Sequence, residues 1–362
     1  MSERRLRTAI VGCGFIAGPY VQSLLTYPEI EVAGVASRRF ARASSFAERF
    51  GCGAYSSLDN LLGDERVDLV VNLTPQHAHA EIITRCLQAG KHVYSEKPLA
   101  LTFPEARRLV SLAERRGLRL ACAPATFLGE AQQTVMRLVR DGALGTVRVA
   151  YAEMNWGRIE AWHPDPAPFF EVGPFFDLGP YPLTLLTGMF GPVRRAAAFG
   201  KTVYPERVCL DGSRLETSSP DHVTSILELE SGTTARVTAS FYAGPRSKQR
   251  GLELHGDSGS LYLASFLDYD APVQVSAPGG SYAPTPLLGQ PFRGVEWGRG
   301  VRDLARAILA ARPHRAGARH ACHVVEVMSA VRKSIATGRP VTMRSSFDAP
   351  APMEWAASVR TA

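Results

Sequence analysis

The strongest constraint on this chain is a six-residue run, Gly12-Cys13-Gly14-Phe15-Ile16-Ala17, that follows a β-branched stretch and opens an amphipathic one. A G-x-G-x-x-G/A run between a strand and a helix needs a tight turn at its first glycine and close backbone approach to a pyrophosphate at its second. At its third position it needs a small residue, so that helix and strand can pack. Gly12, Gly14 and Ala17 meet the three needs, and the backbone at Phe15 and Ile16 turns helix-start amides towards phosphates. A purely structural glycine turn is the competing reading.

The surrounding pattern agrees with a strand–helix–strand unit. Residues 8–11, 32–36, 69–72, 92–95 and 120–123 read as short strands, with helices between them at, for example, 81–89 and 104–116, the second capped by Thr102. Gly90 and Gly117 fall just past helix ends. After Pro124 the texture changes to alternating runs at 147–154, 223–229, 234–240, 252–255 and 260–263, with helices at 301–311 and 320–337 and a proline-rich loop from Pro272 to Pro291. The expected fold is an α/β Rossmann domain with a doubly wound parallel sheet over 1–124. An α+β domain with a large open, mainly antiparallel sheet is expected over 125–362.

Composition narrows the function. The net charge of +7 comes from 41 basic and 34 acidic residues spread along the chain, without the basic stripe that nucleic-acid binding needs. Six scattered cysteines form no CxxC pair, and the histidines lack carboxylates at ligand spacing, so neither disulfide nor metal is expected. No apolar run is long enough for a membrane span, and the start MSERRLRTAIVG lacks signal-peptide features; a cytoplasmic protein without nucleic-acid or membrane partners is expected.

Cofactor preference is read at the end of the second strand, Val35-Ala36-Ser37-Arg38-Arg39, where NAD-binding chains place an acidic residue on the ribose. Here Ser37 and Arg38 could bind a 2′-phosphate instead, so NADP is favoured and NAD remains possible. A merely solvated Arg38, or one stacked on adenine, is the plain alternative.

The run Ser95-Glu96-Lys97-Pro98 ends another strand with a charge pair, and strand ends of a parallel sheet face the cofactor. With Gly12-Cys13-Gly14, the Thr74-Pro75…His79 turn, Glu96-Lys97-Pro98 and Asp177-Leu178-Gly179-Pro180-Tyr181, the chain resembles the Gfo/Idh/MocA (glucose-fructose oxidoreductase, inositol dehydrogenase, rhizopine catabolism) family over nearly its whole length. The resemblance implies that the cofactor lies against Gly12, Gly14, Phe15, Ile16, Ser37, Arg38, Thr74, Pro75, His79, Glu96 and Lys97. It implies a cis peptide at Lys97-Pro98, and a homodimer or homotetramer through the C-terminal sheet. It also places the catalytic lysine at Lys97 and the aspartate at Asp177, while the catalytic histidine's position is held by Tyr181. Thr184 stands where the inositol branch has an aspartate, which argues against a simple inositol substrate.

In such a site Tyr181 is the candidate acid/base, since a phenol with an ordinary pKa of ~10 becomes a better base beside an ammonium. Lys97 would stabilise the developing alkoxide, or be the base itself, and Asp177 would share a helical face with Tyr181 if the segment is one helix. Bland roles compete: Lys97 pairing with Glu96, Asp177 as a cap, Tyr181 as a core aromatic. Trp156 and His163, in the loop Asn155-Trp156-Gly157-Arg158…Trp162-His163, suit a sugar-like ring, as do Asp177, Tyr181 and Thr184, although the tryptophans could simply pack. The expected function is hydride transfer at a secondary alcohol or ketone carbon of a sugar, glycoside, aminocyclitol or aminoglycoside-type small molecule. The alternatives are an NAD-dependent redox glycosidase of the same family and a non-catalytic dinucleotide-sensing regulator.

Overall fold

Short apolar strands separated by amphipathic helices bury both faces of a parallel sheet, and the N-terminal part of the chain does so. The computed structural model describes residues 4–217 and 219–357. These fall into two compact units, one within Met1–Ala125 and Glu296–Val325, the other within Thr126–Val295 and Glu326–Ala362. This corrects the division at 124/125: the segment Glu296–Val325 belongs with the first unit. Its helix Arg299–Leu309 packs so closely there that a Cβ on Gly298 would lie 2.6 Å from the Ser23 Cβ, and one on Gly300 2.6 Å from the Tyr94 hydroxyl. Contacts between residues so far apart in sequence leave no periodic trace.

In the first unit β1 (Leu6–Val11), α1 (Ala17–Leu24), β2 (Ile30–Ala36), α2 (Phe40–Phe50), β3 (Gly53–Tyr55), α3 (Leu58–Gly63), β4 (Leu69–Asn72), α4 (His79–Gln88), β5 (His92–Ser95), α5 (Phe103–Arg115) and β6 (Leu120–Cys122) follow in order. The strands form one parallel sheet in the order β3-β2-β1-β4-β5-β6. The chain leaves β1 to one side and returns at β4 on the other, so a crevice opens beyond the carboxyl ends of these two strands. β4 is buried along its whole length, as a central strand covered on both faces must be. At the start of α5 the Thr102 hydroxyl accepts from the Glu105 amide at 3.4 Å and donates to the Glu105 carboxylate at 2.7 Å, the cap expected from sequence.

The second unit contains α6 (Glu130–Arg140), β7 (Val147–Asn155), α7 (Ala167–Val172), α8 (Pro174–Asp177), α9 (Pro180–Phe190), β8 (Val193–Lys201), β9 (Glu206–Val208), β10 (Arg214–Glu216), β11 (His222–Leu229), β12 (Thr234–Ser240), β13 (Gly251–Gly256), β14 (Gly259–Leu263), β15 (Val273–Ser276), β16 (Ala283–Pro284) and β17 (Val341–Thr342). Nine of these strands make a sheet in the order β16-β15-β14-β13-β7-β12-β11-β8-β17, antiparallel except where β12 runs beside β7. The alternation in β11 shows why the sheet is open: Val223, Ser225, Leu227 and Leu229 are buried, while Ile226 and Glu228 face outward. Helices α6, α8 and α9 pack on the covered face. The stretch from Pro272 to Pro291 is not a continuous loop, because β15 and β16 extend the sheet edge within it. Among the described residues no helix is long and apolar enough to cross a membrane.

Candidate active site

The crevice of the first unit is shaped by backbone. Gly12 follows β1, donates its amide to the Ala36 carbonyl at 2.9 Å and has φ of +109°. A Cβ there would stand 2.5 Å from the Leu73 carbonyl oxygen at the end of β4, so both conformation and space demand glycine. Gly14 is different. A Cβ at that position would meet nothing within 4 Å, and no protein group requires its absence. Such open backbone beside a helix start is what a pyrophosphate needs. No side chain caps α1 and no acidic residue lies in its first turn, so its positive end is left for an anion. Phe15 is 89 % exposed.

At the end of β2, Ser37 is half-buried, and Arg38 and Arg39 are exposed. Ser37 hydrogen-bonds Cys13, and Arg42 acts on the same thiol. Both pull against the burial that pushes that thiol up, so both side chains stand beside the glycine turn. No acidic residue lies in the first turn of α2. Among the described residues, Arg38, Arg39 and Arg42 form no ion pair.

Strands β4 and β5 end in two interlocked turns. The Asn72 carbonyl oxygen of the side chain accepts from the Thr74 hydroxyl at 2.7 Å and from its amide at 3.3 Å, while its amide group donates to Ser95. His79 is 1 % exposed, with Nδ1 2.7 Å from the Pro98 carbonyl and Nε2 2.8 Å from that of Thr74. Burial lowers its pKa, and these two carbonyls oppose the shift. His79 therefore ties one turn to the other, a neutral ring seated between two carbonyls and donating to one of them.

Glu96 also serves the backbone. One of its carboxylate oxygens accepts from the Tyr20 hydroxyl at 2.6 Å and the other from the Lys97 amide at 3.0 Å. Burial and then the Glu96 charge raise the Tyr20 pKa well above the usual phenol range, which keeps its proton in place for that bond. Thus α1 is tied through Glu96 to the backbone of Lys97. The Lys97-Pro98 peptide is cis, as the resemblance implied. Tyr20 and Asn72 were not candidates from sequence, since a buried polar group inside a helix or strand carries no motif of its own.

In the second unit, Asp177 and Tyr181 do not share one continuous helix. Asp177 ends α8 and Tyr181 lies in the first turn of α9. Pro180 and Pro182 lack the N–H groups that would continue the ladder. The Tyr181 amide bonds to Leu178 at 3.2 Å, and four-residue spacing resumes only with Leu183 to Gly179 at 3.0 Å. A Cβ on Gly179 would lie 2.2 Å from the Phe175 carbonyl, so glycine lets the two helices abut. Tyr181 and Thr184 are buried within α9, and Asp177 is half-buried.

Trp156 lines a cleft of about 540 Å³ with Arg158, Trp162, Tyr242, Gly244 and Pro245. Its walls are held by backbone bonds between the loops after β7 and β12, from Trp156 to Ser240 at 2.9 Å and from Gly157 to Ala243 at 2.8 Å. Arg158 donates to Glu160 at 2.8 Å, and Glu160 also accepts from the fully buried Arg207, which reaches Asp221 on its other side. Two cations and two carboxylates thus close a neutral network in which Glu160, Arg207 and Asp221 are buried and Arg158 stays exposed at the cleft. His163 does not line it. Its Nδ1 accepts from the Asp165 amide at 3.0 Å, and its ring packs edge-on between Trp162 and Phe169.

Comparison with known proteins bears on the family and the fold. Residues 6–123 match an oxidoreductase family with a NAD-binding Rossmann fold, and residues 132–262 match the GFO/IDH/MocA C-terminal domain. A trans-1,2-dihydrobenzene-1,2-diol dehydrogenase of Macaca fuscata fuscata is 31 % identical over 246 residues, 66 % of this chain and 69 % of that protein. A dTDP-3,4-didehydro-2,6-dideoxy-alpha-D-glucose 3-reductase of Actinomadura kijaniata is 39 % identical over 145 residues, 40 % of this chain and 43 % of that one. The fold is shared with an aldose-aldose oxidoreductase from Caulobacter crescentus, with a TM-score of 0.80 at 22 % identity, covering 94 % of this chain and all of that one. The chain therefore belongs to the Gfo/Idh/MocA family, and is a nicotinamide-dinucleotide-binding oxidoreductase acting on CH–OH groups.

Proposed function

We propose that the protein is an NADP-preferring dehydrogenase or ketoreductase acting on one ring carbon of a sugar-like or cyclitol-like substrate. The observation that carries this reading is Lys97. It stands at the carboxyl end of β5 with its backbone anchored by Glu96, where an ammonium can stabilise a developing alkoxide. The relatives support it by name, one being a dehydrogenase of a ring diol and the other a 3-reductase of a keto sugar.

When bound, the dinucleotide supplies the hydride acceptor or donor. Gly12 and Gly14 bring backbone to its pyrophosphate, with Phe15 and Ile16 at the helix start and the Thr74-Pro75 turn on the neighbouring strand end. Ser37 and Arg38, with Arg39 and Arg42 beside them, favour a 2′-phosphate because they offer charge without a competing carboxylate. By their places in the family's motifs, Lys97 is the group for a developing alkoxide, Tyr181 the proton carrier, and Asp177 and Thr184 the groups for the substrate's other hydroxyls. Trp156 stacks on the substrate's flat face.

Outward-facing Phe199 and Ile226, on adjoining strands β8 and β11, support assembly of the sheet into a homodimer or homotetramer. Titration with all four nicotinamide dinucleotides, followed by absorbance of the reduced form against a panel of sugars, cyclitols and glycosides, tests the function. Substrate-dependent redox change with NADPH, lost in Lys97→Met, is expected. Binding without net redox change would overturn the assignment.

A further inference from the structure

The cleft at Trp156 is followed in sequence by a loop with unusual charge. Gly244 and Pro245 line the cleft, and the next five residues are Arg246, Ser247, Lys248, Gln249 and Arg250. Three cations and no carboxylate lie in that stretch, and all three are exposed. None of them forms an ion pair among the described residues. The loop is laced to the cleft at two points. The Ser247 amide bonds to the Gly244 carbonyl at 3.0 Å, and the Gln249 carbonyl accepts from the Asn155 side chain at 2.9 Å, one residue before Trp156. Lys248 and Arg250 therefore flank a residue fixed beside the tryptophan wall.

The cleft itself offers flat apolar surface. Two indoles, a phenol ring and a proline make its walls, and no carboxylate lines it. Trp162 and Tyr242 are half exposed, with 46 % and 51 % of their surface open. Aromatic side chains left open in this way stack well on an unsaturated ring. Arg158, the cleft's own cation, is balanced by Glu160, so the unbalanced charge belongs to the loop.

We propose that the cleft and the basic loop form one binding site for a flat unsaturated ring carrying an anionic group, as in a phosphorylated nucleoside or an aryl acid. The proposal rests on the function above only in treating that ring as part of the substrate. The cleft's size fits more than a single six-membered ring, since cavities of ~300–1,000 Å³ hold drug-sized ligands.

Calorimetry on the protein saturated with NADPH, so that the dinucleotide crevice is filled, tests it with four probes: 4-nitrophenyl phosphate, 4-nitrophenyl glucoside, inorganic phosphate and methyl glucoside. The phosphate ester should bind at least ten-fold tighter than the other three, and less tightly as salt rises. Trp162→Ala with Tyr242→Ala should weaken it ten-fold or more. Arg246→Ala, Lys248→Ala and Arg250→Ala together should bring it to the level of the neutral glucoside. Uridine monophosphate and 4-nitrobenzoate then distinguish a nucleotide from an aryl acid. Equal binding of ester and glucoside, or ester binding untouched by these surface variants, would overturn the proposal. The function fails separately, if NADPH does not bind or if no alcohol or ketone alters its absorbance.

Discussion

The crevice beyond β1 and β4 and the cleft at Trp156 are both shaped to take ligands, and they are built by opposite means. In the crevice the backbone does the shaping, at Gly12, at Gly14 and in the turns that His79 locks together. In the cleft side chains do it, with the exposed Arg158 joined through Glu160 to the buried Arg207 and Asp221. Backbone sites tolerate almost no change of residue type but leave a short, fixed signature. Side-chain sites draw on residues far apart in sequence and leave almost none.

The contrast can be broken most severely at Gly12. Gly12→Ala places a Cβ against the Leu73 carbonyl at a φ that alanine resists, so thermal unfolding should fall steeply and NADPH binding should be lost. Gly14→Ala, with no protein atom in reach, should leave the melting temperature within error and reduce dinucleotide affinity alone. Equal effects of the two substitutions on stability would erase the distinction.

Beneath the cleft, Arg207→Met leaves Glu160 and Asp221 buried without their shared cation and should cost about 3–5 kcal/mol in denaturant unfolding. Arg195→Ala, which breaks an exposed, solvent-screened pair with Glu228, should leave the unfolding midpoint almost unmoved. For chemistry, Lys97→Met should lower kcat by a factor of about 10²–10⁴ while dinucleotide binding persists, a split read by turnover beside calorimetry.

A smaller effect concerns pH. Burial, followed by the neighbouring His323, depresses the His320 pKa from its ordinary 6.5 to about 3. Between those values the unfolded chain binds a proton that the folded chain does not, so stability rises with pH across that window and is fully present above about 6.5. Melting temperatures should therefore fall as the buffer is taken from pH 7 towards 4, and the fall should be shallower in His320→Gln.

Legibility followed the same line. Strands at 69–72 and 92–95 are legible to the residue, and so is the cap at Thr102, because each depends on neighbours in sequence. The three-residue β3 escaped because it is too short to show a period, and β15 and β16 were hidden by the prolines around them. The return of Glu296–Val325 to the first unit escaped because small residues at Gly298 and Gly300 reveal a close approach only when their neighbours are known. At the site, Lys97 and the two glycines stood out as motif, whereas the service of His79 and Glu96 to the backbone emerged from hydrogen bonds alone. Tyr242 and Pro245, more than eighty positions beyond Trp156, had no pattern to join them to the cleft.

The stretch between Gly244 and Gly251 has one more consequence. At its near end Gly244 has open space around it, and at its far end a Cβ on Gly251 would stand 2.1 Å from the Leu263 carbonyl of β14. One end would accept a side chain and the other is clamped, while Gln249 between them is held to Asn155 of β7, so the segment's exposed charges can change where its length cannot. Recharging Arg246, Lys248 and Arg250 should therefore shift ligand preference while the dinucleotide crevice is left as it is.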